Sequence, residues 1–280
     1  MKIRVLSDLH YDYNSYKLDS YIIYGFENEI NNTDLVLIAG DIGGSSEVEQ
    51  KFLDRLQSRI TGNTKVCVVC GNHLGYNMIS TTNYFKNTKE SQLLDLRLKY
   101  AKDNIFYLEN DFVDLGEYVV VGCCLYTDFS LYNYKDLNKN NAEKYMNDFR
   151  YVLTMEYDNG VIRTVTPDDY EKWFNNSVEY IKKMCKRFEN KKIILLTHFL
   201  VTPQSISLKY IADELNPFYC TNLEQLLLDN PNIVLVVCGH SHEPSDIQIG
   251  DIRVILEPYG YCGKEQDLLP QGYYGKVIEI

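Results

Sequence analysis

Apolar residues fall in two rhythms along the chain. Short β-branched and aliphatic runs, such as LVLIA, KIILLT and IVLVVC, alternate with longer stretches whose apolar positions recur every three or four residues. The first rhythm predicts strands over 3–7, 35–39, 65–70, 118–122, 192–197, 233–238, 252–257 and 276–280. Several of these runs are apolar throughout, which suits strands covered on both faces. The second rhythm predicts amphipathic helices. Ser46 followed by Glu49 resembles a capping box, after which Val48, Phe52, Leu53, Leu56 and Ile60 share one face. Thr166-Pro167-Asp168-Asp169 opens another helix with proline at its first position. Its buried stripe is predicted as Tyr170, Trp173, Phe174, Val178, Ile181, Met184 and Phe188. A third helix is expected around 90–101. The alternation of strand and helix makes this an α/β chain.

No internal repeat and no Pro-, Gly- or Ser-rich linker divides the sequence, so 1–280 is taken as a single domain. The stretch 126–166, dense in Asn, Lys and Tyr, breaks both rhythms and is expected to form a long loop or small cap over one end of the sheet.

Composition narrows the function classes. With 45% hydrophobic and 24% charged residues, the 280-residue chain can build a sizeable core. Its net charge of −11 disfavours broad binding to nucleic-acid backbones, and the 135–144 stretch, with three lysines among acidic residues, makes no basic stripe. A phosphate substrate at one site stays compatible, because bound cations invert the local field. The first apolar stretch is too short for a signal peptide, and no run of ~18 apolar residues exists, so a cytoplasmic protein without a membrane span is expected. Most of the eight cysteines lie in apolar runs and are expected as small buried hydrophobes in a reducing compartment. Cys67-x-x-Cys70 has no second pair to complete a zinc site, and lies in a strand rather than at the helix start of a redox pair.

Five segments carry the candidate chemistry: Asp8-Leu9-His10, Gly40-Asp41-Ile42-Gly43-Gly44, Gly71-Asn72-His73, Thr197-His198 and Gly239-His240-Ser241-His242. Each follows a predicted strand, where α/β sheets bind ligands. A single histidine after a strand is ordinarily a hydrogen-bonded structural residue, Asp41 alone could cap a turn, and Asn72 alone suits one. Yet the chain has five histidines, and all five sit at strand ends beside Asp, Asn or Gly. If strand geometry persists for two residues, Asp8 and His10 point the same way, as do His240 and His242. Gly40, Gly71 and Gly239 are expected to let the backbone approach the site closely.

The order D-x-H, G-D, G-N-H, H, G-H-x-H resembles the calcineurin-like metallophosphoesterase superfamily, across Asp8 to His242. LVLIAGDIG, CLYTDF, the Tyr145–Tyr151 segment and EPYGY resemble a bacterial and phage branch of predicted phosphoesterases. The resemblance implies a four-layer sandwich, with two mixed β-sheets packed together, helices outside, and a metal site at the strand C-terminal ends. It also implies two divalent metal ions. Asp8, His10 and His242 would hold one, Asn72, His198 and His240 the other, and Asp41 would bridge. A mixed oxygen and nitrogen shell without thiolate suits Mn²⁺ best, with Fe or Zn²⁺ compatible. The implied reaction is hydrolysis of a small phosphodiester or phosphomonoester by a metal-bridging hydroxide, with Asn72 and His73 as catalytic residues and His73 assisting the leaving group.

The sequence also departs from relatives. Leu74 stands where an acidic residue often follows the G-N-H histidine, so a carboxylate that could orient His73 is missing there. Phe199 replaces a second histidine, and Gly44 replaces an aspartate of the protein phosphatase motif, disfavouring that activity. A nuclease and a non-catalytic scaffold of the same fold are the alternatives. Tyr76, Asn77, Asp128, Tyr259 and Tyr261 are candidates for lining the substrate pocket. A small phosphorylated substrate is the expected partner.

Overall fold

The structure, a computed structural model, describes residues 1–18, 33–60, 62–100, 104–156, 158–261 and 275–280. The first half runs β1 (Lys2–Leu6), α1 (Tyr11–Leu18), β2 (Leu35–Ala39), α2 (Ser46–Arg59), β3 (Lys65–Val69), α3 (Lys89–Lys99), β4 (Ile105–Leu108), β5 (Asp111–Asp114) and β6 (Tyr118–Cys123). Next come α4 (Lys135–Tyr145), α5 (Asp148–Tyr151), β7 (Leu153–Met155), β8 (Ile162–Thr164) and α6 (Pro167–Arg187). The last part holds β9 (Lys192–Thr197), α7 (Asn216–Tyr219), α8 (Glu224–Leu228), β10 (Ile233–Cys238), β11 (Ser245–Ile249), β12 (Ile252–Leu256) and β13 (Lys276–Glu279).

Two large mixed sheets result. One has the order β13-β1-β2-β3-β4, parallel except for β13. The other has the order β11-β12-β10-β9-β6-β5, with antiparallel strands at both edges. Alternation explains why the central strands are apolar throughout. Leu35, Leu37 and Ala39 of β2 share an inner core with Ile194 and Leu196 of β9, and with Leu235 and Val237 of β10. The intervening Val36 and Ile38 join Phe52 and Leu53 of α2 in the outer core, as Val119 and Val121 of β6 join Phe174 and Ile181 of α6. Both faces of these strands are therefore dry, and the layering is helix, sheet, sheet, helix. This is the expected four-layer architecture.

Helix starts follow the sequence with one correction. Thr166 caps α6 in a complete capping box with Asp169, and Pro167 occupies the first turn. Tyr170, Phe174, Ile181 and Met184 are buried, while Trp173, Val178 and Phe188 pack at the margin. At α2, however, the cap is Ser45, whose side chain accepts from Val48 N. The expected box of Ser46 and Glu49 does not form. Ser46 N donates to Gln92 Oε1, and Glu49 turns inward to accept from Tyr107 OH at 2.7 Å. Strands β4, β5 and β11 were not expected, because they are short and carry polar or aromatic residues of weak pattern. The 126–166 stretch contains α4, α5 and the β7–β8 hairpin. No described helix is long and apolar enough to cross a membrane.

The seven described cysteines are free and buried, and burial pushes the thiols of Cys67, Cys123 and Cys238 upward. They are packing residues, as expected; Cys262 lies outside the described residues.

Candidate metal centre

Strands β1, β2, β3, β9 and β10 deliver their polar successors to one end of the molecule. The backbone there does not stay extended. Asp8 (φ 52°), His10 (φ 42°), Asp41 (φ 50°), His240 (φ 75°) and His242 (φ 54°) all adopt left-handed conformations. Each pair thus converges through tight turns, and the expected strand-like alternation is corrected. Non-glycine residues visit this region rarely, at a cost of roughly 1–2 kcal/mol each, and such strain concentrates at functional sites. A lattice of hydrogen bonds offsets it. Asp8 N donates to Gly40 O (3.1 Å), His10 N to Asp41 O (3.0 Å), and His240 N to both oxygens of Asp8 (3.0 and 3.1 Å).

Two glycines are required by close approach alone. A Cβ on Gly71 would sit 1.7 Å from Asp41 Oδ1, and one on Gly239 would sit 2.7 Å from Asp8 Oδ2. The carboxyls occupy the space that a side chain would fill.

The structure brings all five histidines and both aspartates together. Donor atoms of Asp8, His10 and His242 lie within 4.8 Å of one another, as do those of Asp41, His198 and His240, and those of His10, Asp41 and His73. His10 Nε2 and His242 Nε2 are 3.0 Å apart, and His198 Nε2 lies 3.4 Å from Asp41 Oδ2 and 2.9 Å from Asn72 Oδ1. His198 Nδ1 is 2.8 Å from Ala39 O. A carbonyl only accepts, so this contact places a proton on Nδ1 and turns Nε2 toward the cluster. His240 Nε2 is buried yet has no hydrogen-bond partner among the described residues. An orphaned imidazole nitrogen within a few ångströms of carboxyl oxygens fits a cation ligand.

Electrostatics point the same way. Burial raises the Asp8 pKa, but the hydrogen bond and charge of His242 outweigh it and hold the group at about 2. Burial acts on Asp41 likewise and is overcome by His73 and His198, leaving it well below the usual carboxyl range. Burial, with His73 adding, pushes His10 down to about 3, and burial with His198 holds His240 well below its ordinary value. Anionic Asp8 and Asp41 beside neutral His10 and His240 are in the protonation states in which such groups bind cations. His198 moves the other way: burial would lower it, but Asp41 holds it at about 10.

His73 stands at the cleft side of this cluster, its Nε2 3.7 Å from Asp41 Oδ2. The ring stacks on Tyr76 at 4.0 Å, and Tyr261 OH lies 3.5 Å from His73 Nε2. Tyr261 also stacks on His10 at 4.3 Å. Leu74, next in the chain, is buried in the core and offers His73 no carboxyl. Phe199 packs against the His240 ring at 4.2 Å.

A cleft of about 680 Å³ opens from Asp41, Asn72, His73, His240 and His242. Of the sequence-derived lining candidates, Tyr76 and Tyr261 border it. The other three do not. Asn77 donates to Asp12, Asp128 accepts from Thr221 and Ser130 in a turn, and Tyr259 is buried, with its amide on Ser7 O. The outer walls, missed from sequence, come from Tyr145, Asn147 and Tyr151 on one side and Tyr210 and Tyr219 on the other. The signal for the first wall was the Tyr145–Tyr151 segment itself; the second lies in a stretch without periodicity.

The chain is similar to known proteins in sequence and in fold. It is 25% identical, over 97% of its length and 95% of the relative's, to an uncharacterized protein of Acanthamoeba polyphaga mimivirus. Its fold is similar to that of phosphopantetheinyl hydrolase from Mycobacterium tuberculosis, with a TM-score of 0.69, 17% identity, and 99% and 95% of the two chains covered. The calcineurin-like phosphoesterase YfkN from Bacillus subtilis aligns at a TM-score of 0.43 with 15% identity, covering 91% of this chain and 80% of that one. The model of the calcineurin-like phosphoesterase family matches residues 1–244, and the chain belongs to that family of metal-dependent phosphoester hydrolases.

Proposed function

We propose that the chain hydrolyses a small organic phosphoester, a diester or monoester, at a centre of two divalent cations. Asp8, His10 and His242 would hold one cation and Asn72, His198 and His240 the other, with Asp41 between them. The observation that carries this reading is that Asp41 belongs to two overlapping donor groups, one containing His10 and the other His198 and His240. When bound, two divalent ions lower the pKa of a water molecule and clamp the phosphoryl oxygens for in-line displacement. The oxygen and nitrogen donors suit Mn²⁺ first, and Fe or Zn²⁺ also.

The chain's own groups supply the rest. His73, pinned between Tyr76 and the Tyr261 hydroxyl, reaches the cleft and is placed to protonate the leaving oxygen. The tyrosine walls offer apolar faces with polar tips for the organic arm of the ester. A cleft of about 680 Å³ suits a small molecule. We take residues 1–280 as one catalytic domain, and the free buried thiols favour a reducing compartment such as the cytoplasm.

Purified protein with Mn²⁺ is expected to cleave bis-p-nitrophenyl phosphate or p-nitrophenyl phosphate and to lose that activity with a chelator. Cyclic nucleotides, nucleotide sugars, phosphopantetheinyl esters and labelled nucleic acids then define the substrate. His73→Ala should keep the bound metal while kcat falls roughly 10²–10⁴-fold; Asp41→Asn should lose metal. Absence of turnover with Mn²⁺, Fe²⁺ and Zn²⁺ alike would overturn the proposal.

A further inference from the structure

We propose that Asp148, carried by the segment that walls the cleft, is a positioning residue that sets the Asn72 amide and the His73 ring for catalysis. The inference rests on the two-cation reading of the site. Asp148 is fully buried and lies 76 positions from Asn72 in sequence. Its Oδ1 accepts from Asn72 Nδ2 at 2.8 Å and from Tyr170 OH at 2.6 Å, and its Oδ2 accepts from Tyr76 OH at 2.6 Å. Three donors converging on one carboxyl define its place in the protein closely.

The first bond selects one of two amide orientations. An asparagine amide can turn by half a revolution, and only its oxygen can ligate a cation. With Nδ2 engaged by Asp148, Oδ1 faces inward, 2.9 Å from His198 Nε2. The second bond anchors the Tyr76 phenol, whose ring lies 4.0 Å from that of His73 at an interplanar angle of 18°. One carboxyl therefore sets both a ligand and the ring beneath the histidine assigned to the leaving group. The third bond ties this carboxyl to α6, whose Tyr170 is itself buried. Residues flanking Asp148, namely Tyr145, Asn147 and Tyr151, line the cleft. The wall that meets substrate and the group that orients the ligand are thus one short stretch of chain. This assigns a role to the Tyr145–Tyr151 segment, which metal ligation leaves unexplained.

Calorimetric titration with Mn²⁺ tests the proposal, using the full chain stripped by chelator. Asp148→Leu should weaken the second binding event roughly 10–100-fold, the scale seen when groups that orient a metal ligand are removed. In the Asn72→Ala background the same change should add nothing to that loss, because Asp148 acts through Asn72. Asp148→Asn, which keeps the shape and one accepting oxygen, should lower kcat more than it alters KM, and guards against a Leu variant that fails to fold. Tyr76→Phe should lower kcat while sparing metal affinity. Unchanged Mn²⁺ binding and kcat in both Asp148 variants would overturn the inference, as would a loss that is additive with Asn72→Ala. A parent protein that binds no Mn²⁺ would instead overturn the two-cation reading, and the inference with it.

Discussion

Glu49 takes a carboxyl into the core, where Tyr107 OH donates to one oxygen at 2.7 Å. Burial raises its pKa more than the Tyr107 bond lowers it, and with Asp41 and Asp12 adding, the group reaches about 8 from an ordinary 4.5. The native state therefore keeps a proton that the unfolded chain releases near pH 4.5. Stability is then lost as pH rises from about 4.5 to 8, at up to about 1.4 kcal/mol per pH unit, and levels off above that. Glu49→Gln has no proton to lose. It should match the parent near pH 4.5 and exceed it at pH 9, as measured by urea midpoints of chelator-treated protein; a difference independent of pH would refute the assignment. The residue also marks a limit of the sequence. Its spacing from Ser46 suggested a helix cap, whereas its side chain answers to Tyr107, 58 positions away. The left-handed turns at Asp8, His10, His240 and His242 were equally hidden, because tight turning there is imposed by tertiary hydrogen bonds. The identities of the clustered residues were legible, since histidine is scarce in the chain and confined to strand ends.

Elements with dense, regular signals were legible and those with sparse signals were not. The central strands announced themselves as wholly apolar runs because each is covered on both faces. Edge strands β5 and β11 have one poorly covered face, and their polar residues blurred into loops. Helix α6 was readable from its first residue because local chemistry fixes its start. Thr166 Oγ1 accepts from Asp169 N, and Asp169 Oδ2 accepts from Thr166 N at 2.8 Å while also pairing with Arg163. Thr166→Ala removes one half of that reciprocal cap and should cost about 1 kcal/mol. The denaturation midpoint should fall with an unchanged m-value; a changed m-value would mean that α6 had unravelled more widely.

At the scale of the molecule, the proposed donor set straddles both sheets. Asp8, His10, Asp41 and Asn72 follow strands of the five-stranded sheet, while His198, His240 and His242 follow strands of the six-stranded one. Their convergence could be anticipated because every one follows a strand, and parallel strands send their ends to a common edge. The wall of Tyr210 and Tyr219 could not, because it comes from the stretch between β9 and β10, where no periodicity fixes the path. A cation held by donors from both sheets would join them as a cross-link that the unfolded chain lacks. Ligand bound only to the native state stabilises it by about 2.7 kcal/mol per site at a hundred times the dissociation constant. Mn²⁺ should therefore raise the thermal midpoint of chelator-treated protein by several degrees, in a concentration-dependent way. Asp41→Asn, which alters the one carboxyl shared between donor groups, should abolish most of that shift and also lower the metal-free midpoint, because it removes the charge partner of buried His198. If Mn²⁺ supports turnover but leaves the midpoint unmoved at saturating concentration, cation binding does not join the two sheets.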